Sequence, residues 1–282
     1  MLSHWKDIAV FLDASSRGEK VGKSAALLAK QHKAHLIGVY GIVRPPSPHR
    51  ADAYVRGGAI REIIEEQRHS DEQQVLTAGR WFGEFLREYE ISSEFRVVWS
   101  DGPNGDSALR ALHCDLIVAA HPKPQHLPPS WSAEQLLHIT GIPVLLLPDA
   151  WEGDRVGRYI VIAWNRSREA RRAVNDAMPF ISAADEVTIL IVDGDRNPDR
   201  FGEEPGANLL QHLIRHEAKV RVAQVSSEGA PVAEVISAEA ARHAADLLVI
   251  GAYSHSRSAE AIFGGVTRSL LSDTSIPMFI SR

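Results

Sequence analysis

The sequence contains little of what several common classes of protein require. Its 282 residues include one cysteine, Cys114, which excludes an intrachain disulfide and suits a reducing compartment. A formal net charge of −5 gives no basic excess that would attract nucleic acid or anionic lipid. No apolar run approaches the roughly 20 residues of a membrane span or forms a signal-peptide core at the start. We therefore expect a soluble, cytoplasmic protein without a nucleic-acid or membrane partner.

The composition that remains is that of an ordinary globular protein. Hydrophobic residues make up 44% of the chain and charged residues 24%, which is enough apolar material for folded cores without metal or disulfides. A length of 282 residues suits two domains of about 140 residues each.

Short apolar runs alternate with amphipathic stretches, which is the pattern of parallel strands joined by crossover helices. The series of five runs occurs twice, so the sequence predicts two tandem five-stranded parallel-sheet domains of the α/β, Rossmann-like class. The predicted strands are Ile8–Leu12, His35–Ile42, Phe95–Trp99, Leu116–Ala120 and Val144–Leu147, followed by Ile160–Trp164, Val187–Val192, Val220–Val225, Leu247–Ile250 and Met278–Ile280.

Particular residues recur in the two halves, which indicates an internal repeat. Asp13-Ala-Ser15 follows the first strand of one copy and Asn165-Arg-Ser167 follows that of the other. Asp115-Leu-Ile-Val corresponds to Asp246-Leu-Leu-Val, and an Ile-Pro pair precedes each last strand. We call the copies the N-terminal repeat, predicted over 1–150, and the C-terminal repeat, predicted over 156–282.

Two segments between these elements are predicted to be irregular. The polar linker from Pro148 to Gly157 contains proline and glycine and is too short to let the repeats drift apart, so we expect them to pack together as an intrachain pseudo-dimer through their last strands. The first part of the insertion after His35–Ile42, from Arg44 past Gly57-Gly58, is predicted to be a mobile loop before a charged helix.

Ligands of open parallel sheets bind beyond the carboxyl ends of the strands. In the C-terminal repeat, Gly251 follows the fourth strand, and Gly264-Gly265 lead into a helix that we expect Thr267 to cap. Backbone N–H groups at such a helix start form a cradle for phosphate when no Cβ atoms obstruct them. The alternative, that these glycines only make a turn, stays open on spacing alone.

This segment resembles the nucleotide loop of universal stress proteins, whose ATP-binding members carry Gly, two residues, Gly, nine residues, then Gly followed by Ser or Thr. Gly251 and Gly264 fill the first and third glycine positions here, and the paired Asp and Ile-Pro signatures extend the resemblance over nearly the whole chain. The resemblance implies a tandem universal stress protein of the adenine nucleotide alpha hydrolase-like fold, which binds ATP, with Mg²⁺. It implies a nucleotide site made of Asn165, Val192, Gly251, Ser254, Gly264, Gly265, Val266 and Thr267.

The sequence departs from the family pattern at three of these positions. Asn165 stands where ATP-binding members usually have Asp, and Ser254 stands where the second glycine belongs. Gly265 replaces a hydroxyl residue. In the N-terminal repeat the equivalent loop runs from His121 to Ser130 with four prolines and no glycine, so it lacks the backbone donors of a phosphate cradle. We therefore expect nucleotide in the C-terminal repeat alone.

Other signals are weaker. Gly22-Lys-Ser24 lies in a predicted helix, and His212 and His216 share a helix face without a third metal ligand, so neither indicates a phosphate loop or a metal site. No residue is assigned a catalytic role.

The leading hypothesis is a stress-response protein that binds an adenine nucleotide and acts through altered interactions, with a homodimer left open. The alternatives are a nucleotide-independent interaction module, or a weak ATPase or small-molecule carrier.

Overall fold

The structure is a computed structural model that describes residues 4–43, 50–100, 107–124, 127–128, 131–153, 155–195, 204–252, 265–272 and 274–282. The strands are β1 (Asp7–Leu12), β2 (His35–Val43), β3 (Ser93–Ser100), β4 (Leu116–His121), β5 (Val144–Pro148), β6 (Tyr159–Ala163), β7 (Glu186–Val192), β8 (Val220–Val225), β9 (Leu247–Gly251) and β10 (Met278–Ser281). The helices are α1 (Ser16–His32), α2 (Arg50–Tyr89), α3 (Ser107–Arg110), α4 (Ala133–Thr140), α5 (Arg168–Asp176), α6 (Met178–Ile181), α7 (Ala207–Arg215), α8 (Val232–Arg242) and α9 (Gly265–Ser272).

The described residues group into two compact units. The N-terminal unit is Lys6–Thr140, and the C-terminal unit is Gly141–Arg282 together with Met1–Trp5. Strand β5, which ends the N-terminal repeat in sequence, therefore belongs to the C-terminal unit. The units are defined by compactness and the repeats by sequence similarity, so their boundaries need not coincide. The repeat boundaries at 150 and 156 stay predictions.

The strands of the N-terminal unit lie in the order β3-β2-β1-β4 and pair in parallel. Helix α2 packs an aromatic side on this sheet, where the rings of Phe82 and Phe95 lie 5.7 Å apart and those of Trp81 and Phe85 5.3 Å apart. The helix runs through Gly57-Gly58, so the expectation of a loop there is wrong. Glycine costs only about 1 kcal/mol relative to alanine inside a helix, which a long helix tolerates. Residues 44–49 lie outside the described residues.

The C-terminal unit has the strand order β5-β10-β9-β6-β7-β8. All its neighbouring strands pair in parallel except β5 and β10, which are antiparallel, with Leu145 opposite Phe279. The indole of Trp5 is also part of this unit. It packs edge-on against Phe180 at 4.8 Å and is 5% exposed.

The recurring aspartates have the same structural role in both units. A carboxylate oxygen of Asp115 accepts hydrogen bonds from the backbone N–H groups of Lys6 (2.6 Å) and Asp7 (3.1 Å), where β1 begins. Asp246 accepts from Arg158 (3.0 Å) and Tyr159 (2.9 Å), where β6 begins. Each aspartate thus fixes the start of the neighbouring strand, which gives the repeated sequence signature a physical reason. No helix in the described part of the chain has the length and apolarity to span a bilayer.

Candidate functional site

Six of the eight predicted site residues lie within the described structure, and Ser254 and Gly264 lie outside it. Asn165 follows β6, Val192 ends β7 and Gly251 ends β9. Since β6 pairs in parallel with both β7 and β9, these three residues meet at one edge of the sheet. Gly265, Val266 and Thr267 form the first turn of α9.

Asn165 shapes the turn between β6 and α5. Its side-chain oxygen accepts a hydrogen bond from the Ser167 N–H at 3.0 Å, and the Ser167 hydroxyl caps α5 by accepting from the Ala170 N–H at 3.0 Å. The N-terminal unit repeats this arrangement. Asp13 accepts from the Ser15 N–H at 2.7 Å and Ser15 caps α1. An amide and a carboxylate oxygen accept equally well in this turn, so Asn165 preserves its geometry without the charge.

Gly251 allows the helix after β6 to approach the sheet. A Cβ atom added to it would lie 2.3 Å from the backbone nitrogen of Ala170 and 2.4 Å from the carbonyl carbon of Glu169. No side chain fits between these backbones. The missing side chain of Gly251 therefore serves helix packing, and a role in ligand approach is not needed to explain this glycine.

Gly265 is different, because a Cβ atom added there would meet none of the described residues within 4 Å. It begins α9, and the adjacent Val266 is 39% exposed. The first N–H groups of a helix have no partner within the helix and attract anions. Thr267 is not the cap that the sequence suggested, because α9 begins two residues earlier and Thr267 is 7% exposed within the first turn.

Val192 lies beside partly exposed residues at the same edge. It is partly exposed itself, as is Ala163 at the end of β6. The next residue, Asp193, has a left-handed backbone (φ 54°), and its carboxylate accepts the Ser227 N–H at 2.9 Å. This hydrogen bond joins the ends of β7 and β8 and fixes the backbone around Val192.

The equivalent place in the N-terminal unit is filled by an indole. Strand register makes Phe11 the counterpart of Ala163 and Gly41 the counterpart of Val192. The ring of Trp131 packs edge-on against Phe11 at 4.6 Å and covers Gly41, whose added Cβ would lie 2.5 Å from the ring. Trp131 is 3% exposed. The sequence reading missed this residue, although an indole directly after the prolines and a glycine at the Val192 position were both visible.

Lys123 organises the segment that leads to Trp131. Its ammonium donates to the carbonyl oxygens of Pro124 and Leu127, each at 2.7 Å. Partial burial lowers the pKa of Lys123 below its usual value. A side-chain cation therefore supplies donors to a segment in which proline has removed backbone N–H groups.

A separate cleft of about 670 Å³ lies between α5 and α7. Trp164, Arg166, Arg171 and His212 are among its lining residues. Its volume is within the range of small-molecule sites. His212 also contacts His216, with ring centroids 4.7 Å apart, and no group of three potential metal ligands occurs among the described residues.

Comparison with known proteins assigns the C-terminal part of the chain to a family. Residues 158–282 match the universal stress protein family. A universal stress protein from Archaeoglobus fulgidus DSM 4304 has a similar structure, with a TM-score of 0.69, 17% identity and 98% of each chain covered. A protein of unknown function from Pseudomonas aeruginosa PAO1 has a TM-score of 0.60 and 16% identity over 98% of this chain and 92% of its own. No curated protein sequence matches significantly.

The structural matches confirm the predicted α/β class with a mostly parallel sheet, since identities this low show the fold alone. The family model adds an assignment for one part of the chain. Residues 158–282 are a universal stress protein domain.

Proposed function

We propose that the C-terminal repeat binds ATP or a related adenine nucleotide and that the N-terminal repeat is a second universal stress protein domain without nucleotide. Three observations support the first part. Residues 158–282 match the family, and Asn165, Val192 and Gly251 meet at the edge where open sheets bind ligands. Helix α9 begins at Gly265, where an added Cβ atom would contact none of the described residues.

The contrast between the two units carries this proposal. Ala163 and Val192 are partly exposed in the C-terminal unit, whereas their counterparts Phe11 and Gly41 are covered by Trp131. A ligand that enters the N-terminal unit at this place would have to displace a buried indole. One nucleotide per chain is therefore the stoichiometry that the structure supports.

The proposed contacts are made mainly by the backbone. The first N–H groups of α9, with those of Ser254 and Gly264 in the family pattern, would hold the phosphates, and Asn165 and Val192 would lie at the base and ribose end. Mg²⁺ would arrive with the nucleotide phosphates, which are its preferred ligands.

The consequence of binding is proposed to be a change in interactions rather than turnover. We assign no general base, and slow ATP hydrolysis is an outcome to measure. We also propose a cytoplasmic stress-response role and an intrachain pseudo-dimer, for which the antiparallel β5 and β10 pairing is the supporting observation. Whether two chains form a homodimer is a question for light scattering.

The cleft between α5 and α7 favours a second candidate function, small-molecule carriage. Arg166, Arg171 and His212 would suit an anionic metabolite there. Replacing Arg171 with Glu should abolish such binding and leave ATP binding intact, which separates the two candidates.

The decisive experiment is calorimetric titration of the full chain with Mg·ATP, with GTP as a competitor and with mass spectrometry of any nucleotide retained through purification. We expect one ATP per chain. Gly265→Val should abolish binding, because its side chain would occupy the place proposed for phosphate. It should not lower the melting temperature, because an added Cβ meets none of the described residues within 4 Å.

Gly83→Val is the matched control. A Cβ added to Gly83 likewise meets nothing within 4 Å in the described part of the chain, but this residue lies on α2 of the N-terminal unit. Two equivalent ATP sites per chain, or unchanged binding by Gly265→Val beside the control, would contradict the proposal. Unchanged binding by Gly265→Val would favour the alternative that the glycines only make a turn.

A further inference from the structure

The N-terminal unit contains an aromatic slot at the carboxyl ends of β1 and β2. Phe11 and Val39 are paired neighbours in the sheet, and Gly41 lies two residues beyond Val39 on the same face. Phe11 and Val39 are 4% and 3% exposed. The ring of Trp131 contacts Phe11 edge-on at 4.6 Å and lies over Gly41. The slot is thus bounded by apolar groups and holds a flat bicyclic ring.

Residue sizes around the slot differ from those in the other repeat in a correlated way. The C-terminal unit has Ala163 in place of Phe11 and Val192 in place of Gly41. A β-carbon at position 41 would lie 2.5 Å from the Trp131 ring, so the glycine is required for the indole to be seated. A glycine at this place in a strand marks the close approach of another group. Here the approaching group is part of the same chain.

Hydrogen bonds that do not depend on the slot hold the backbone before Trp131. The Trp131 N–H donates to the Pro128 carbonyl at 2.9 Å, and the Lys123 ammonium bridges the carbonyls of Pro124 and Leu127. These hydrogen bonds do not involve the indole ring. Removal of the ring therefore leaves the interactions that shape the approach to the slot.

We propose that the N-terminal unit contains a binding slot for a flat bicyclic aromatic group, with Trp131 as its resident occupant, and that free indole refills the slot when this side chain is removed. Apolar cavities made by truncating buried side chains stay dry and accept matching apolar ligands. The inference concerns the N-terminal unit alone and does not depend on nucleotide binding by the C-terminal repeat.

The test uses the full chain with Trp131→Ala and indole as the ligand. Truncation should lower the melting temperature by about 10 °C. Indole should bind the variant with a stoichiometry of one and raise its melting temperature by at least about 3 °C at saturation. The parent chain should neither bind indole nor melt at a higher temperature in its presence. A folded Trp131→Ala variant that binds no indole would overturn the proposal.

A double variant provides the matched control. Gly41→Val in the Trp131→Ala background places the residue of the other repeat inside the slot, so indole binding should be lost. Indole binding that persists in the double variant would show that the ligand lies elsewhere, which overturns the assignment of the slot.

A single substitution keeps the proposal testable if Trp131→Ala does not fold. Gly41→Ala in the otherwise intact chain should lower the melting temperature by several degrees, because its methyl group and the indole compete for one space. Melting of Gly41→Ala at the parent temperature would mean that the slot does not confine the indole.

Discussion

Gly251 and the Ala170 amide are in such close contact that a β-carbon on the glycine would stand 2.3 Å from the amide nitrogen. The contact joins the end of β9 to the first turn of α5, and Ser167 caps the same turn. Gly251, the first glycine of the family pattern, is therefore required for helix packing whether or not a ligand binds. Gly265, which stands where the family pattern has a hydroxyl residue, has no such neighbour among the described residues.

Gly251→Ala should destabilise the protein, and Gly265→Ala should not. The methyl group at position 251 would press on backbone, which cannot rotate away, so we expect a loss of about 2–3 kcal/mol in the free energy of unfolding. The change for Gly265→Ala should stay within about 0.5 kcal/mol. Urea unfolding of the full chain measures both. Equal losses would show that the Gly251 contact is not structurally important.

Asn165→Asp should leave stability nearly unchanged and strengthen ATP binding. Asp13 makes the same turn in the N-terminal unit through the same acceptor atom, so the fold accommodates a carboxylate. It would also restore the residue of the ATP-binding family pattern. Calorimetric dissociation constants should be compared with those of Asn165→Ala, which removes the acceptor and should cost about 1 kcal/mol of stability. Weaker ATP binding by Asn165→Asp would argue against the proposal that the base and ribose of the nucleotide lie at Asn165.

Ser254→Gly should tighten ATP binding severalfold. The substitution restores the second glycine of the family pattern and removes a Cβ atom from a segment proposed to approach phosphate. The ATP dissociation constant is the measurement, and Ser258→Gly is a control in the same segment. An equal gain from both substitutions would point to general loosening of the backbone rather than to a phosphate contact.

The Cys114 thiol should react slowly in the native protein. Burial raises its pKa to about 12 from 9.0, although hydrogen bonds from the Ala9 and Leu116 backbone oppose this shift. At pH 8 the thiolate fraction is about a thousandfold smaller than in the unfolded chain, since each pKa unit is tenfold. Because Cys114 is the only cysteine, reaction of the chain with Ellman's reagent reports this site alone.

The sign of the linked stability change follows from the same shift. A pKa raised on folding stabilises the protein below pH 9, and this contribution is lost as pH rises from 9 towards 12. The native reaction rate should increase tenfold per pH unit through that window until unfolding intervenes. A native rate at pH 8 equal to that in urea would show that the thiol is accessible.

Trp5→Ala should loosen the C-terminal unit although Trp5 lies at the other end of the sequence. The indole is buried against Phe180 and Phe279, and truncation of a buried tryptophan costs about 3–5 kcal/mol. Hydrogen exchange should accelerate in β10 and α6 and stay unchanged in β1 and β2. Tyr159→Ala, at a position 38% exposed, is the control. Unchanged exchange in β10 would contradict the role of Trp5.

The positions of the strands could be predicted from the sequence, because each strand is a short apolar run between polar segments. Such a run is buried whichever residues from other parts of the chain pack against it. The sequence also identified the Asp115 and Asp246 signatures, whose reason is a hydrogen bond to a strand start. Trp131 and Trp5 were not predictable in this way. A tryptophan's partner is set by which surface the folded chain brings near it, and both indoles contact residues far away in sequence.

Local rules also gave two wrong expectations. Gly57-Gly58 was expected to prevent a helix, but the small glycine penalty is spread over a helix of 40 residues. Thr267 was expected to cap α9 because threonine is a good cap, but the helix begins at Gly265. Residue preference ranks the alternatives at a helix end, and the surrounding structure selects among them.

The membership of Trp5 and β5 in the C-terminal unit has a consequence for biosynthesis. Both are synthesised before any residue of β6–β10, so they leave the ribosome well before their partners Phe180 and Phe279 exist. The Trp5 indole therefore stays exposed while the rest of the chain is made, a period in which exposed apolar surface makes nascent chains prone to aggregation.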